Sequence, residues 1–66
     1  MPTIIIEGPR LGTASKRRLV SALTRLVSEA YHWPAERIII VFHENPDANV
    51  ARGGRLLKDQ GKRRAP

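Results

Sequence analysis

The residue with the most chemistry to offer is Pro2, which stands directly behind Met1 and runs into Thr3 and the β-branched Ile4, Ile5 and Ile6. With Met1 attached, its nitrogen is an amide and inert. With Met1 removed, it becomes a secondary amine whose direction is fixed by its own ring at the start of a strand. A free α-amino group has a reference pKa of about 8. Apolar burial and nearby cations both disfavour the protonated form, lowering the pKa and leaving more free amine to accept protons at neutral pH. Taken alone, a proline behind methionine at the first residue of a strand is far better explained as a chance or edge-blocking residue. The general-base reading therefore depends on the rest of the chain.

The other groups that could act on a substrate are mainly cationic. The chain carries 12 Lys and Arg against 6 Asp and Glu, a formal net charge of +6 over 66 residues. Arg52, Arg55, Lys58, Lys62, Arg63 and Arg64 crowd its last quarter, with Asp59 the one acid among them. Such a field concentrates anions of any kind, from polynucleotides to small carboxylates. Cysteine is absent, which removes disulfides and thiolate metal sites. The histidines, His32 and His43, have no local spacing typical of metal ligands, so no metal is expected. Serine, histidine and aspartate are present without the G-x-S-x-G context that would join them in nucleophilic catalysis. There is no P-loop and no internal repeat.

These residues must be positioned by very few elements. Thr3 to Glu7 reads as a first strand, ended by Gly8-Pro9. From Ala14, the apolar Leu19, Val20, Leu23, Leu26, Val27, Ala30 and Tyr31 recur at three- and four-residue steps, which predicts an amphipathic helix. Thr13 is the preferred N-cap. The helix is expected to stop near Tyr31-His32-Trp33, because Pro34 disfavours helical geometry in the residue before it. Arg37 to His43 is short and β-branched and reads as a second strand. The result is an α/β fold, a βαβ unit with parallel strands and a right-handed crossover. Asn45-Pro46-Asp47-Ala48-Asn49 is turn material, and Val50 to Leu57 predicts a hairpin around Gly53-Gly54. The domain is taken as residues 1–57, followed by a basic, flexible tail at 58–66.

So short a chain buries only about 60% of the surface its unfolded form exposes. One helix covers one face of a sheet, yet both isoleucine runs suit burial on two faces. Self-association is the simplest source of the missing cover. The opening residues lack a secretory signal and no run is long enough to span a membrane, so a soluble, cytoplasmic protein is expected.

Proline behind methionine, a strand closing in Glu7-Gly8, an amphipathic helix, a second strand ending at Glu44 and Gly53-Gly54 followed by Leu56 together resemble the 4-oxalocrotonate tautomerase family. The Glu-Gly-Pro-Arg stretch most resembles its DmpI-like branch. The resemblance extends to about Leu57. It implies loss of Met1, Pro2 as catalytic base, no cofactor, and a homohexamer built as a trimer of dimers in which neighbouring subunits complete each site. It also implies an isomerase that moves a proton within a small, anionic, unsaturated 2-hydroxy or 2-oxo acid.

Arg10 corresponds to the family's arginine after the first strand, with a solvated loop charge as the competing explanation. The family's second-strand arginine falls at Ile39. Arg37 is the nearest strand arginine, two residues earlier, and Arg52 or Arg55 on the hairpin could substitute. Val50 falls where the family commonly has an aromatic pocket wall.

Other readings remain open at the level of sequence. Pro2 could support dehalogenation or decarboxylation, or the chain could be an inactive structural oligomer. From a different class, Lys16-Arg17-Arg18 and Lys62-Arg63-Arg64 could contact nucleic-acid phosphates. The few aromatics are absorbed by structural positions and no nucleic-acid motif is present, which disfavours that reading.

Overall fold

A computed structural model describes residues 1–60. The first strand, β1 (Thr3–Gly8), leads through Pro9 to Gly12 into the helix α1 (Thr13–Tyr31). A 3-10 turn at Ala35–Arg37 precedes β2 (Ile39–Glu44), and a second at Asp47–Asn49 precedes the hairpin strands β3 (Ala51–Arg52) and β4 (Arg55–Leu56). The helical turn α2 (Leu57–Gln60) closes the described chain. β1 and β2 pair in parallel, with Thr3 opposite Ile39 and Gly8 opposite Glu44, and α1 forms the crossover between them.

The expected βαβ unit and hairpin are both present, with differences at the joints. Gly12, not Thr13, is the N-cap of α1, and no side chain caps the helix. Glu44, at the end of β2, instead brings negative charge to this end. Its carboxylate accepts a hydrogen bond from the Leu11 N–H at 3.2 Å and pairs with Lys16 at 2.7 Å. An anion here offsets the positive helix terminus and the crowding of Lys16, Arg17 and Arg18 in its first turns.

At the other end, His32 adopts a left-handed conformation (φ 59°), and the Trp33 N–H reaches back to the Ser28 carbonyl at 3.2 Å. The Ser28 hydroxyl donates to the Trp33 carbonyl in turn. This closure satisfies groups that the helix end leaves unpaired. Pro34 then caps the 3-10 turn, so the helix stops where the sequence predicts.

β2 begins at Ile39 rather than at Arg37, because Arg37 belongs to the 3-10 turn, with its N–H bonded to the Pro34 carbonyl at 2.9 Å. The hairpin turns on Gly53 and Gly54, both at positive φ (63° and 82°), the backbone that a two-residue connection between twisted strands requires. Lys58 to Gln60, taken from the sequence as the start of the tail, form most of α2. The Gln60 side-chain amide donates to the Arg55 and Arg52 carbonyls at 2.9 and 3.3 Å. The expected flexibility of the remaining tail concerns residues 61–66, which lie outside the described residues.

Alternation along β1 separates two sheet faces. Ile4 and Ile6 are half-buried, whereas Ile5 between them is 54% exposed. On β2, Phe42 lies beneath Lys16 of α1, 5.6 Å from the ammonium to the ring centre, marking the helix-covered side. The opposite face carries Ile5 and the exposed Ile39, and ends in a polar cluster in which Glu7 accepts from Asn45 at 2.9 Å and pairs with His43 at 2.8 Å. No described residue is fully buried. Among the described residues, no helix is long and apolar enough to cross a membrane, and no cluster of three or more His, Cys, Asp or Glu could hold a metal ion.

Candidate active site

Pro2 is placed by the parallel sheet. Its carbonyl accepts the Ile39 N–H at 3.1 Å, one step before Thr3 pairs with Ile39. The ring is thereby tied to β2 by its carbonyl, while its nitrogen faces the Met1 side of the chain. Pro2 is half-buried and Met1 is 69% exposed. Both line a cavity of about 290 Å³ whose other walls are Tyr31 and Trp33. Loss of Met1 would remove one wall of this cavity and leave the Pro2 nitrogen in its place.

Among the cations singled out from the sequence, Arg37 shares this end of the sheet. It lies two residues before Ile39, and its guanidinium sits over the Trp33 ring at 5.3 Å from the centroid. That distance is within the range of a cation–π contact. Its position on a turn corrects the expectation of a strand arginine: the backbone of Ala35–Arg37 is held in 3-10 bonds and is not available to the sheet.

Arg10, Val50 and Arg52 are elsewhere. Arg10 follows the far end of β1, and a six-residue strand puts roughly 17–20 Å between the two ends, farther than an arginine side chain reaches. There it lies within electrostatic range of Glu44. The Glu44 carboxyl is held below the usual range chiefly by its hydrogen bond with Lys16, then by the Leu11 N–H, with a smaller attraction from Arg10.

The chain leaves the sheet at this same far end, where the Asn45 N–H bonds the Gly8 carbonyl at 2.8 Å, and continues to Val50. Val50 is half-buried and its carbonyl accepts the Leu57 N–H at 2.8 Å, closing the hairpin. Arg52 and Arg55 are directly opposite each other across the Gly53-Gly54 turn. Like charges in that relation repel. An anion received between them would relieve the repulsion.

One chain thus brings Pro2 together with Tyr31 and Trp33, with Arg37 stacked on Trp33, while Arg10 lies at the far end of β1 and Val50 and Arg52 belong to the hairpin and do not line this cavity. The sequence places Tyr31 and Trp33 at the expected end of the helix but does not by itself connect either with Pro2. The signal was available. The short connection from Pro34 to β2 forces the start of β2, and hence the helix end, beside the start of β1.

The family model described as "Tautomerase enzyme" matches residues 2–60, and this chain belongs to that family. Among solved structures it is similar to DmpI from Archaeoglobus fulgidus, at 40% identity over 88% of this chain and 100% of that one, with a TM-score of 0.79. It is also similar to a 4-oxalocrotonate tautomerase homologue at 27% identity, covering 89% of this chain and 95% of that one, with a TM-score of 0.82. YwhB, another homologue of 4-oxalocrotonate tautomerase, matches at 25% identity over 88% and 97% of the two chains, with a TM-score of 0.80. A comparison with curated proteins finds no match. The family resemblance read from Pro2, Glu7-Gly8, Glu44 and Gly53-Gly54 is borne out, and with it a tautomerase-type enzyme.

Proposed function

We propose that this chain, after loss of Met1, is an isomerase that converts the enol of a small unsaturated 2-hydroxy acid into the conjugated ketone, with the Pro2 amine as general base. The observation that carries the reading is the placement of Pro2 in a family member: first residue before the sheet, anchored by its carbonyl to Ile39, and bordering a cavity. The Pro2 nitrogen takes the proton of the 2-hydroxyl. The electron pair left on oxygen forms the C2 carbonyl, the double bonds shift along the chain, and a remote carbon takes the proton back from the Pro2 ammonium. Atoms and charge balance without a cofactor. A positioned acid–base group of this kind contributes a factor of roughly 10²–10⁴.

The negative charge that develops on the dienolate oxygen and the substrate carboxylate needs cations. Arg37 is at hand on the same chain. Arg10, at the far end of β1, is out of reach of its own Pro2 and would act on that of a neighbouring copy, and the facing Arg52 and Arg55 would serve in the same way. The open sheet face, with Ile5 and Ile39 exposed, supports such an assembly. Its form in this proposal is a homohexamer, a trimer of dimers, with Val50 as a pocket wall supplied across an interface.

The test is ketonisation of a 2-hydroxydienoate by protein whose intact mass shows that Met1 has gone, beside Pro2→Ala and a form that retains Met1. Activity should fall by at least about 10² in both altered forms. Equal activity in all three would overturn the assignment of Pro2.

A further inference from the structure

The sheet face that α1 leaves open is built of three cross-strand rows. The parallel register sets Thr3 beside Ile39, Ile5 beside Val41 and Glu7 beside His43, and alternation along each strand sends all six side chains to the same side. The first two rows are largely apolar, with Ile5 54% and Ile39 37% exposed. The third can titrate. The His43 Nδ1 lies 2.8 Å from one Glu7 carboxylate oxygen, and the Asn45 amide donates to the other at 2.9 Å. The bond from Asn45 first, and that with His43 second, hold the Glu7 carboxyl below its ordinary range, so it stays charged throughout the range in which a histidine titrates.

The other charges at this end of the sheet are occupied elsewhere. Lys16 of α1 pairs with Glu44 at 2.7 Å, Arg10 is attracted to the same Glu44, and Asn45 carries no charge. Among the described residues, His43 is the charged group whose field acts on Glu7. The row that borders Ile5 and Val41 is therefore neutral overall when the imidazole is protonated and singly negative when it is not.

We propose that the Glu7–His43 pair makes closure of this face by a second copy depend on a proton, so that copies join more tightly when the imidazole is charged and less tightly when it is neutral. Covering the face strips water from both groups. With His43 protonated, two opposite charges enter in contact and hydrogen-bonded. With His43 neutral, the Glu7 carboxylate enters without a counter-charge, and burying an unpaired ion costs far more than burying a bonded pair. Closure thus takes up as much as one proton per copy. Its strength is fully present on the acid side of the histidine range and is lost as pH rises through that range, by up to about tenfold per copy for each pH unit.

This inference rests on the reading that a second copy covers the open face, and its test separates the two. Sedimentation velocity over a dilution series, between about pH 5.5 and pH 8, reads the concentration at which the oligomer dissociates. For the wild type that concentration should rise by at least about tenfold from the acid to the alkaline end. His43→Gln keeps an amide donor beside Glu7 but cannot titrate, and should flatten the dependence. Glu7→Gln leaves His43 without its counter-charge and should reverse it, so that acid weakens association. His32→Asn, at the opposite end of the sheet, should keep the wild-type slope. Circular dichroism checks that each variant folds. An oligomer whose dissociation ignores pH, or a slope that survives in His43→Gln, would overturn the proton dependence and leave the assembly standing. A chain that is monomeric at every pH would overturn both.

Discussion

Ile5 offers the sharpest test of how so small a fold becomes stable. It sits at the centre of β1 on the face that α1 does not cover, paired with Val41, and is 54% exposed in a chain where no described residue is fully buried. Burying an isoleucine completely is worth about 1.5–3 kcal/mol, so covering the exposed half by a second copy contributes roughly 0.8–1.6 kcal/mol per subunit. Over the six copies of the proposed hexamer this comes to ~5–10 kcal/mol for the assembly, and per subunit it is a sizeable fraction of the roughly 5 kcal/mol of a marginally stable small domain.

Ile5→Asp removes that contribution and adds a carboxylate whose desolvation costs several kcal/mol per ion. Ile5→Thr keeps the β-branched backbone preference and removes mainly apolar surface. Sedimentation velocity should show the wild type as an oligomer, Ile5→Asp as a monomer or unfolded chain, and Ile5→Thr as an oligomer that dissociates at higher concentration than the wild type. The wild-type melting temperature should rise with protein concentration, as it does when association and folding are coupled. An Ile5→Asp protein with wild-type mass and melting temperature would refute the reasoning, because it would mean that this face meets water.

Mixing Pro2→Ala and Arg10→Ala subunits by co-expression should restore activity that neither variant has alone, in roughly one site in four if each site draws Pro2 and Arg10 from different copies; mixtures as inactive as the separate variants would contradict that sharing. Gly54→Ala should lower stability by about 1 kcal/mol, through backbone strain alone, since φ is 82° and nothing lies within 4 Å of the added methyl. A thermal melt would read that loss. Acid should weaken the fold through Glu44 and Glu7. Both carboxyls are held below their ordinary range, Glu44 chiefly by Lys16 and Glu7 chiefly by Asn45 and then His43. A depressed folded-state pKa means that this stability is fully present above the unfolded value of about 4.3 and is lost as pH falls through the folded value. Urea midpoints between about pH 6 and pH 3 should therefore fall less steeply in Glu44→Gln than in the wild type.

The strongest periodic signals in the sequence carried over to the structure. The isoleucine runs, the three- and four-residue steps from Leu19 to Tyr31, Pro34 as a stop and the Gly53-Gly54 turn each act through local sterics or one dominant period, and each formed the predicted element. The joints were less legible. Thr13 had the right chemistry for an N-cap, but the counter-charge at this helix end comes from Glu44, thirty-odd residues away in sequence and brought there by strand pairing. Arg37 looked like part of a strand because isoleucines follow it, yet the backbone requirements of the turn after Pro34 claimed it. The Glu7, His43 and Asn45 cluster joins three residues whose proximity depends on the parallel register. The distance between Pro2 and Arg10 follows from strand length alone and was readable. The aromatic walls beside Pro2 required knowing where the crossover returns.

The central claim is that the Pro2 amine takes the proton, and its titration can be followed at the atom. With ¹⁵N-proline incorporated, Pro2 is the one proline among the chain's five whose nitrogen becomes a titratable amine once Met1 is lost. Its chemical shift should report a pKa below the value of about 8 expected of an unperturbed α-amino group. The same pKa should govern the rise of kcat/KM with pH for a 2-hydroxydienoate. A rate profile that follows a different pKa, or turnover by protein in which that nitrogen does not titrate, would contradict the account.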